Sequence, residues 1–183
     1  PSESTHFSKK KIDNLDVYGM PSLSVRINPS IRIPIPFFLK RRIKRIIESY
    51  NPDIIHIQDH FPLCKAVVNV NKLMKIPIIG SNHFMPGNFT VLIKNENLKQ
   101  RLENYLWKGF SKVFNQVLLV TTPTETGAQL IRSKLKVEVI VISSGISLTD
   151  FTPFGDTCEV KKRYSLPGKP ILLYVGRLDP EKH

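Results

Sequence analysis

The chain has 183 residues, 41% hydrophobic and 23% charged, with a formal net charge of +12 and a pI near 9.8. That length supports one good-sized core. No apolar run is long enough to span a bilayer, and the opening PSESTHFSKKK has no apolar stretch of the kind a signal peptide needs. The charge excess favours anionic partners, among them nucleotide phosphates, nucleic acid and anionic lipid headgroups. Cys64 and Cys158 lie far apart and match no metal-site spacing. Cys64 reads as a small buried hydrophobe, and a reducing cytoplasm fits both thiols.

In chain order, residues 1–36 are proline-interrupted with alternating apolar positions, which predicts short edge strands or an extended loop. FLKRRIKRIIESY then changes the period: Leu39, Ile43, Ile46, Ile47 and Tyr50 share one helical face, with five basic residues around them. Pro52 pushes Asn51 off helical angles and ends the helix. DIIHIQ (53–58) predicts a strand, 61–75 a helix with Leu63, Val67, Val70 and Met74 inward, and IPIIGSN (76–82) a second strand. A long helix follows over about 95–115, striped by Leu98, Leu102, Tyr105, Leu106 and Val113; Trp107, Phe110 and Phe114 read as core. VLLVTT (117–122) is a third strand. Thr122, Pro123 and Glu125 fit the N-cap, first position and closing acid of the next helix. VEVIVIS (137–143) is a fourth strand.

Apolar strands alternating with helices predict an α/β fold: a Rossmann-like parallel sheet with helices on both faces. The expected organisation is a domain over 1–150, a polar linker over 151–168 and the start of a second domain over 169–183, with ILLYV as its first strand. A chain that opens on Pro and stops after that strand is expected to be a fragment.

Ligands of open α/β sheets bind beyond the carboxyl ends of the strands. Four such ends are polar here: Gln58, Asp59 and His60; Asn82 and His83; Thr122, Thr124 and Glu125; Ser144 and Gly145. His83 stands out, following a buried strand and preceding a loop with Pro86 and Gly87; a structural histidine is the competing reading. Asp59 and His60 suit helix capping, and His56, inside a strand, reads as structural. Gly145 suits a positive φ or a close backbone approach to phosphate, and equally a plain turn. Arg177 and Lys182, beyond the last strand, suit a diphosphate, the first as a planar fork and the second as a point charge; two solvated cations are the commoner case for such spacing. The run KRRIKR suits either a solvated face or docking on an anionic membrane. Gly-rich phosphate loops, zinc spacings, nucleophile elbows and nucleic-acid motifs are absent.

NPDIIHIQDHFPL, IPIIGSNHFMP, VTTPTETGAQLI, VISSGISLTDFTP and ILLYVGRLDPEKH, in this order and spacing, resemble the group 1 retaining glycosyltransferases of GT-B fold over roughly residues 50–183. The most specific stretches are the linker, where Ser144 and Ser147 replace the usual Asn and Asp, and the GRL-x-x-EK turn around Gly176. The resemblance implies two Rossmann-like domains, the first holding the acceptor and the second a nucleotide-sugar. It implies that His83 contacts the donor sugar as the catalytic histidine and that Arg177 and Lys182 grip the donor diphosphate. Asn82, Gly145 and Gly176 then fall at the cleft or hinge. No metal and no further cofactor is implied. The family's first strand with its Gly-rich loop, most of its donor domain and that domain's pair of glutamates are missing from these 183 residues, so the chain alone is expected to be inactive.

The expectation is therefore the acceptor-side part of a hexosyltransferase, acting in glycan or glycolipid biosynthesis on a sugar or lipid acceptor. It would be cytoplasmic, with peripheral contact at the inner membrane face and no nucleic-acid partner. A non-catalytic Rossmann-like module for a nucleotide or small anion remains the alternative, and a nucleic-acid-binding protein rests on charge alone.

Overall fold

The computed structural model describes residues 5–26, 31–90, 93–152, 157–166, 168 and 170–176. The chain divides into two units, Pro1–Ile142 and Ser143–His183.

The first unit opens with two antiparallel hairpins: β1 (Ser8–Ile12) with β2 (Leu15–Gly19), then β3 (Ser22–Ser24) with β4 (Arg32–Pro34). The first turn uses Asp13 and Asn14, both at positive φ, as a tight primed turn requires. Helix α1 (Leu39–Tyr50) buries Leu39, Ile43 and Ile47 and ends on Asn51 in the left-handed region, whose N–H returns to the Ile47 carbonyl. The hairpin is latched to this helix. Tyr50 donates to the Asp16 carboxylate, Lys9 pairs with the same carboxylate at 3.3 Å, and the Phe7 ring lies 4.8 Å from the Arg42 guanidinium.

A parallel α/β layer follows: β5 (Ile55–Ile57), α2 (Pro62–Met74), β6 (Ile78–Ser81), α3 (Glu96–Phe114), β7 (Leu119–Thr122), α4 (Glu125–Arg132) and β8 (Glu138–Val141). The strands form one sheet in the order β5-β6-β7-β8, all parallel. This is the helix-flanked parallel sheet expected of a Rossmann-like fragment. Strand order equals chain order, so right-handed crossovers carry α2, α3 and α4 to the same face. The core shows it: Ile57, Ile78, Val120 and Val139 from that face join Val68 of α2, Phe110, Val113 and Phe114 of α3, and Ala128 and Ile131 of α4. The opposite face presents His56, Ile79, Ser81, Leu119, Thr121 and Ile140 by strand alternation. Most of these are only half-buried.

Two details of packing explain the sequence. Gly80 has no side chain because the Phe114 ring occupies its place; a Cβ there would sit 2.7 Å from that ring. Helix α2 is apolar on two sides. Val68 faces the sheet, while Ala66 and Val70 join Met20 and α1 in a second cluster. Of the four predicted inward residues, Val70 is buried, whereas Leu63, Val67 and Met74 are only partly so. The stripe of α3 also runs lower than predicted, with Phe110, Val113 and Phe114 buried but Leu98 and Tyr105 exposed.

The start of α4 differs from the capping box read in the sequence. Thr122 is still strand: it pairs with Val141, and its carbonyl accepts from Ile142 N. The cap is Thr124, whose hydroxyl accepts from Gly127 N at 3.1 Å. Asn95 caps α3 in the same way, accepting from Leu98 N.

In the second unit, Ser147 closes a turn by accepting from Asp150 N at 3.3 Å, and α5 (Thr157–Arg163) is a single short helix within the predicted linker. The strand expected at 171–175 does not form. Among the described residues no strand pairs with it, and its side chains are exposed, Leu172 completely. Cys64 is a free thiol.

Candidate functional site

The site candidate is the C-terminal rim of the parallel sheet, on its half-open face. Side chains from three adjacent strands meet there. Ser81 closes β6 and bonds through its hydroxyl to Thr121 Oγ1 of β7 at 2.6 Å and to His56 Nε2 of β5 at 2.8 Å. Gln58 follows β5, and its amide nitrogen lies 3.3 and 3.4 Å from the two ring nitrogens of His56. Near-equal distances to both nitrogens put that amide over the ring face rather than along one lone pair. The other end of the same amide, Oε1, accepts from His83 Nε2 at 3.0 Å. A polar ladder therefore crosses the sheet from Thr121 to His83.

His83 stands exposed at the end of this ladder. Its loop is fixed from below by Asn82, which is only 2% exposed. Asn82 N donates to the Thr121 carbonyl at 2.7 Å, and its side-chain oxygen accepts from Phe84 N at 3.4 Å. Asn82 thus spends its polar groups on holding the loop, and the exposed group beside it is His83. After β5, the Asp59 carboxylate accepts from Phe61 N at 2.7 Å just ahead of α2. Gly127 lets the start of α4 approach β7; a Cβ there would lie 2.9 Å from Thr122 Oγ1.

Beneath the rim, His60 is 8% exposed and boxed by rings: Phe61 at 4.7 Å, Phe110 at 5.0 Å, Phe114 at 6.0 Å and Phe84 at 6.1 Å between centroids. Its Nδ1 finds no hydrogen-bond partner among the described residues. Burial lowers its pKa, opposed by the nearby Asp59 carboxylate. Burial likewise pushes the Cys64 thiol up to about 12, with Asp59 adding to the effect, so this thiol is inert as a nucleophile at neutral pH.

Of the residues singled out from the sequence, the structure brings His83, Asn82, Gln58, Asp59 and Thr122 to this rim. Gly145 belongs to the second unit, has open space around it and does not take the positive φ considered for it. Gly176 lies in the same unit, where a Cβ would meet the Tyr174 hydroxyl at 2.7 Å. Arg177 and Lys182 lie outside the described residues. Ser81, Thr121 and the part played by His56 were missed. The signal was available: polar residues at same-face positions near the ends of successive strands (IHIQ, IIGSN, LVTT) align once the parallel register is set. Among the described residues, no group of three or more His, Cys, Asp or Glu side chains is placed to hold a metal ion.

A parallel α/β sheet with helices between its strands, polar along one carboxyl-end rim, is a Rossmann-like architecture. Residues 4–150 match the family Glycosyltransferase Family 4, and the chain belongs to that family. It is 31% identical over 171 residues to an alpha-monoglucosyldiacylglycerol synthase of Streptococcus pneumoniae, covering 84% of this chain and 38% of that protein. It is 23% identical to a GDP-mannose-dependent alpha-mannosyltransferase of Corynebacterium glutamicum (91% of this chain, 39% of that protein). A sulfoquinovosyl transferase of Arabidopsis thaliana matches at 24% identity (82% and 30%). The chain thus spans about two-fifths or less of the length of these relatives.

Proposed function

We propose that these 183 residues are the acceptor-side part of a retaining glycosyltransferase that moves a sugar from a nucleotide-sugar to a sugar or lipid acceptor. The observation that carries this reading is the placement of His83 within a family-matched domain: exposed, on a loop pinned by Asn82, at the carboxyl-end rim where α/β sheets bind ligands. In this role His83 meets the donor sugar at the reacting centre. Arg177 and Lys182 stabilise the departing diphosphate without a metal, as charge develops on it. The linker over 151–168 leads into the donor domain, which begins near 169. The activities for which the relatives are named support the substrate classes: a diacylglycerol glycolipid, and mannose carried by GDP.

The surface of α1 favours a lipid acceptor at an anionic bilayer. Lys40, Arg41, Lys44 and Arg45 are exposed beside Phe37, which is 72% exposed. A groove of about 350 Å³ is lined by Phe7, Phe38, Arg41, Arg42, Arg45 and Ile46. Cationic heads with apolar wedges suit the headgroup boundary of a peripheral protein. Among the described residues, no helix is long and apolar enough to cross a membrane.

The test is transfer of radiolabelled glucose or mannose from their nucleotide donors to diacylglycerol in vesicles with and without anionic lipid. The full-length protein should form glycolipid, faster on anionic vesicles, and the 183-residue chain alone should form none. Sugar transfer by the isolated chain, or none by the full-length protein with any donor and acceptor pair, contradicts the reading.

A further inference from the structure

We propose that Gln58 is a positioning residue for His83, holding its imidazole in the tautomer that carries hydrogen on Nε2 and keeps Nδ1 as an acceptor at the rim. A glutamine carbonyl only accepts, so the 3.0 Å contact to Gln58 Oε1 requires a proton on His83 Nε2. In a neutral ring the other nitrogen is then an acceptor.

What keeps the amide this way round is His56. The Gln58 NH₂ lies over the electron-rich face of the His56 ring, and a flipped amide would put its carbonyl oxygen there instead. His56 is itself fixed by Ser81 at 2.8 Å, and Ser81 by Thr121 at 2.6 Å. The orientation of one exposed histidine is thereby referred back to the ends of three paired strands, which do not move independently. The consequence for function rests on the transferase reading: Nδ1 accepts a hydrogen bond from a hydroxyl of the sugar at the reacting centre, and a ring free to exchange tautomers presents that acceptor only part of the time.

The experiment reads the tautomer without any activity. Long-range proton–nitrogen NMR correlation spectra of the ¹⁵N-labelled chain are recorded at about pH 8, where histidine rings are neutral. The expected result is His83 as the Nε2–H form in the wild type and in Gln58→Glu, which keeps an acceptor oxygen in place, and a mixture of both tautomers in Gln58→Leu. Gln58 is exposed, so these changes leave the fold in place. A wild-type ring in the Nδ1–H form, or an unchanged spectrum in Gln58→Leu, overturns the proposal. In the full-length enzyme, Gln58→Leu should lower kcat/KM on the order of tenfold, the worth of one hydrogen bond, with Gln58→Glu restoring most of it. Unchanged kinetics in Gln58→Leu overturn the functional half. If full-length His83→Ala transferred sugar normally, the assignment of His83 to the reacting centre would fall, whereas a full-length protein with no transfer at all would sink the transferase reading; in either case the tautomer spectra would still decide whether Gln58 holds the ring.

Discussion

Two stretches of this chain look alike as sequence and behave oppositely as structure. VLLVTT supplies the third strand of the sheet, with Val120 wholly buried between β6 and β8. ILLYV, at 171–175, is at least as apolar, yet Leu172 is fully exposed and no strand forms. Intrinsic β-preference is the same in both. The difference lies in the partners: β7 has a parallel neighbour on each side and α3 beneath it, whereas 171–175 has no strand to pair with among the described residues. A strand is thus a property of the sheet that receives it, and apolar sequence only makes it eligible.

The comparison is broken most severely at the floor beneath β6 and β7. Phe114 is 0% exposed and fills the space over Gly80. Phe114→Ala should destabilise the chain by about 3–5 kcal/mol through lost burial and the cavity left behind, read by urea denaturation. A loss below about 1 kcal/mol would mean the sheet does not rest on this ring. An intermediate effect is expected from pH. The pKa of His60 is lowered in the folded state, so the unfolded chain binds the proton first. Stability should hold above pH 6.5, the ordinary histidine value, and fall as pH drops from there toward the depressed folded value. His60→Phe should remove that part of the slope. Stability that rises on acidification through this window would contradict the boxed, neutral ring. The smallest effect belongs to the other member of the pair: Leu172→Ser should change stability by no more than about 0.5 kcal/mol, because nothing buries Leu172.

Much of the fold was legible before the structure. The period of FLKRRIKRIIESY gave α1 and its stop at Asn51, since both follow from local rules of helix face and proline exclusion. The four apolar segments became the four strands in chain order. Local signals failed where tertiary context decides. Thr122 has every mark of an N-cap, but pairing with Val141 keeps it in the sheet and passes the cap to Thr124. The stripe of α3 fades at Leu98, because the sheet core takes only Phe110, Val113 and Phe114 from the helix's far end. Of the site, position alone made His83 visible, and the resemblance gave it a role. The ladder behind it was hidden, because Gln58, His56, Ser81 and Thr121 become neighbours only through strand register.

The most direct test of the account is steady-state sugar transfer by the full-length protein carrying His83→Ala, with the nucleotide donor varied at saturating acceptor. A group that meets the sugar at the reacting centre should cost kcat roughly 10²-fold or more while the fold, followed by circular dichroism, stays intact. An unchanged kcat would contradict the assignment of the strand-end rim as the site of transfer.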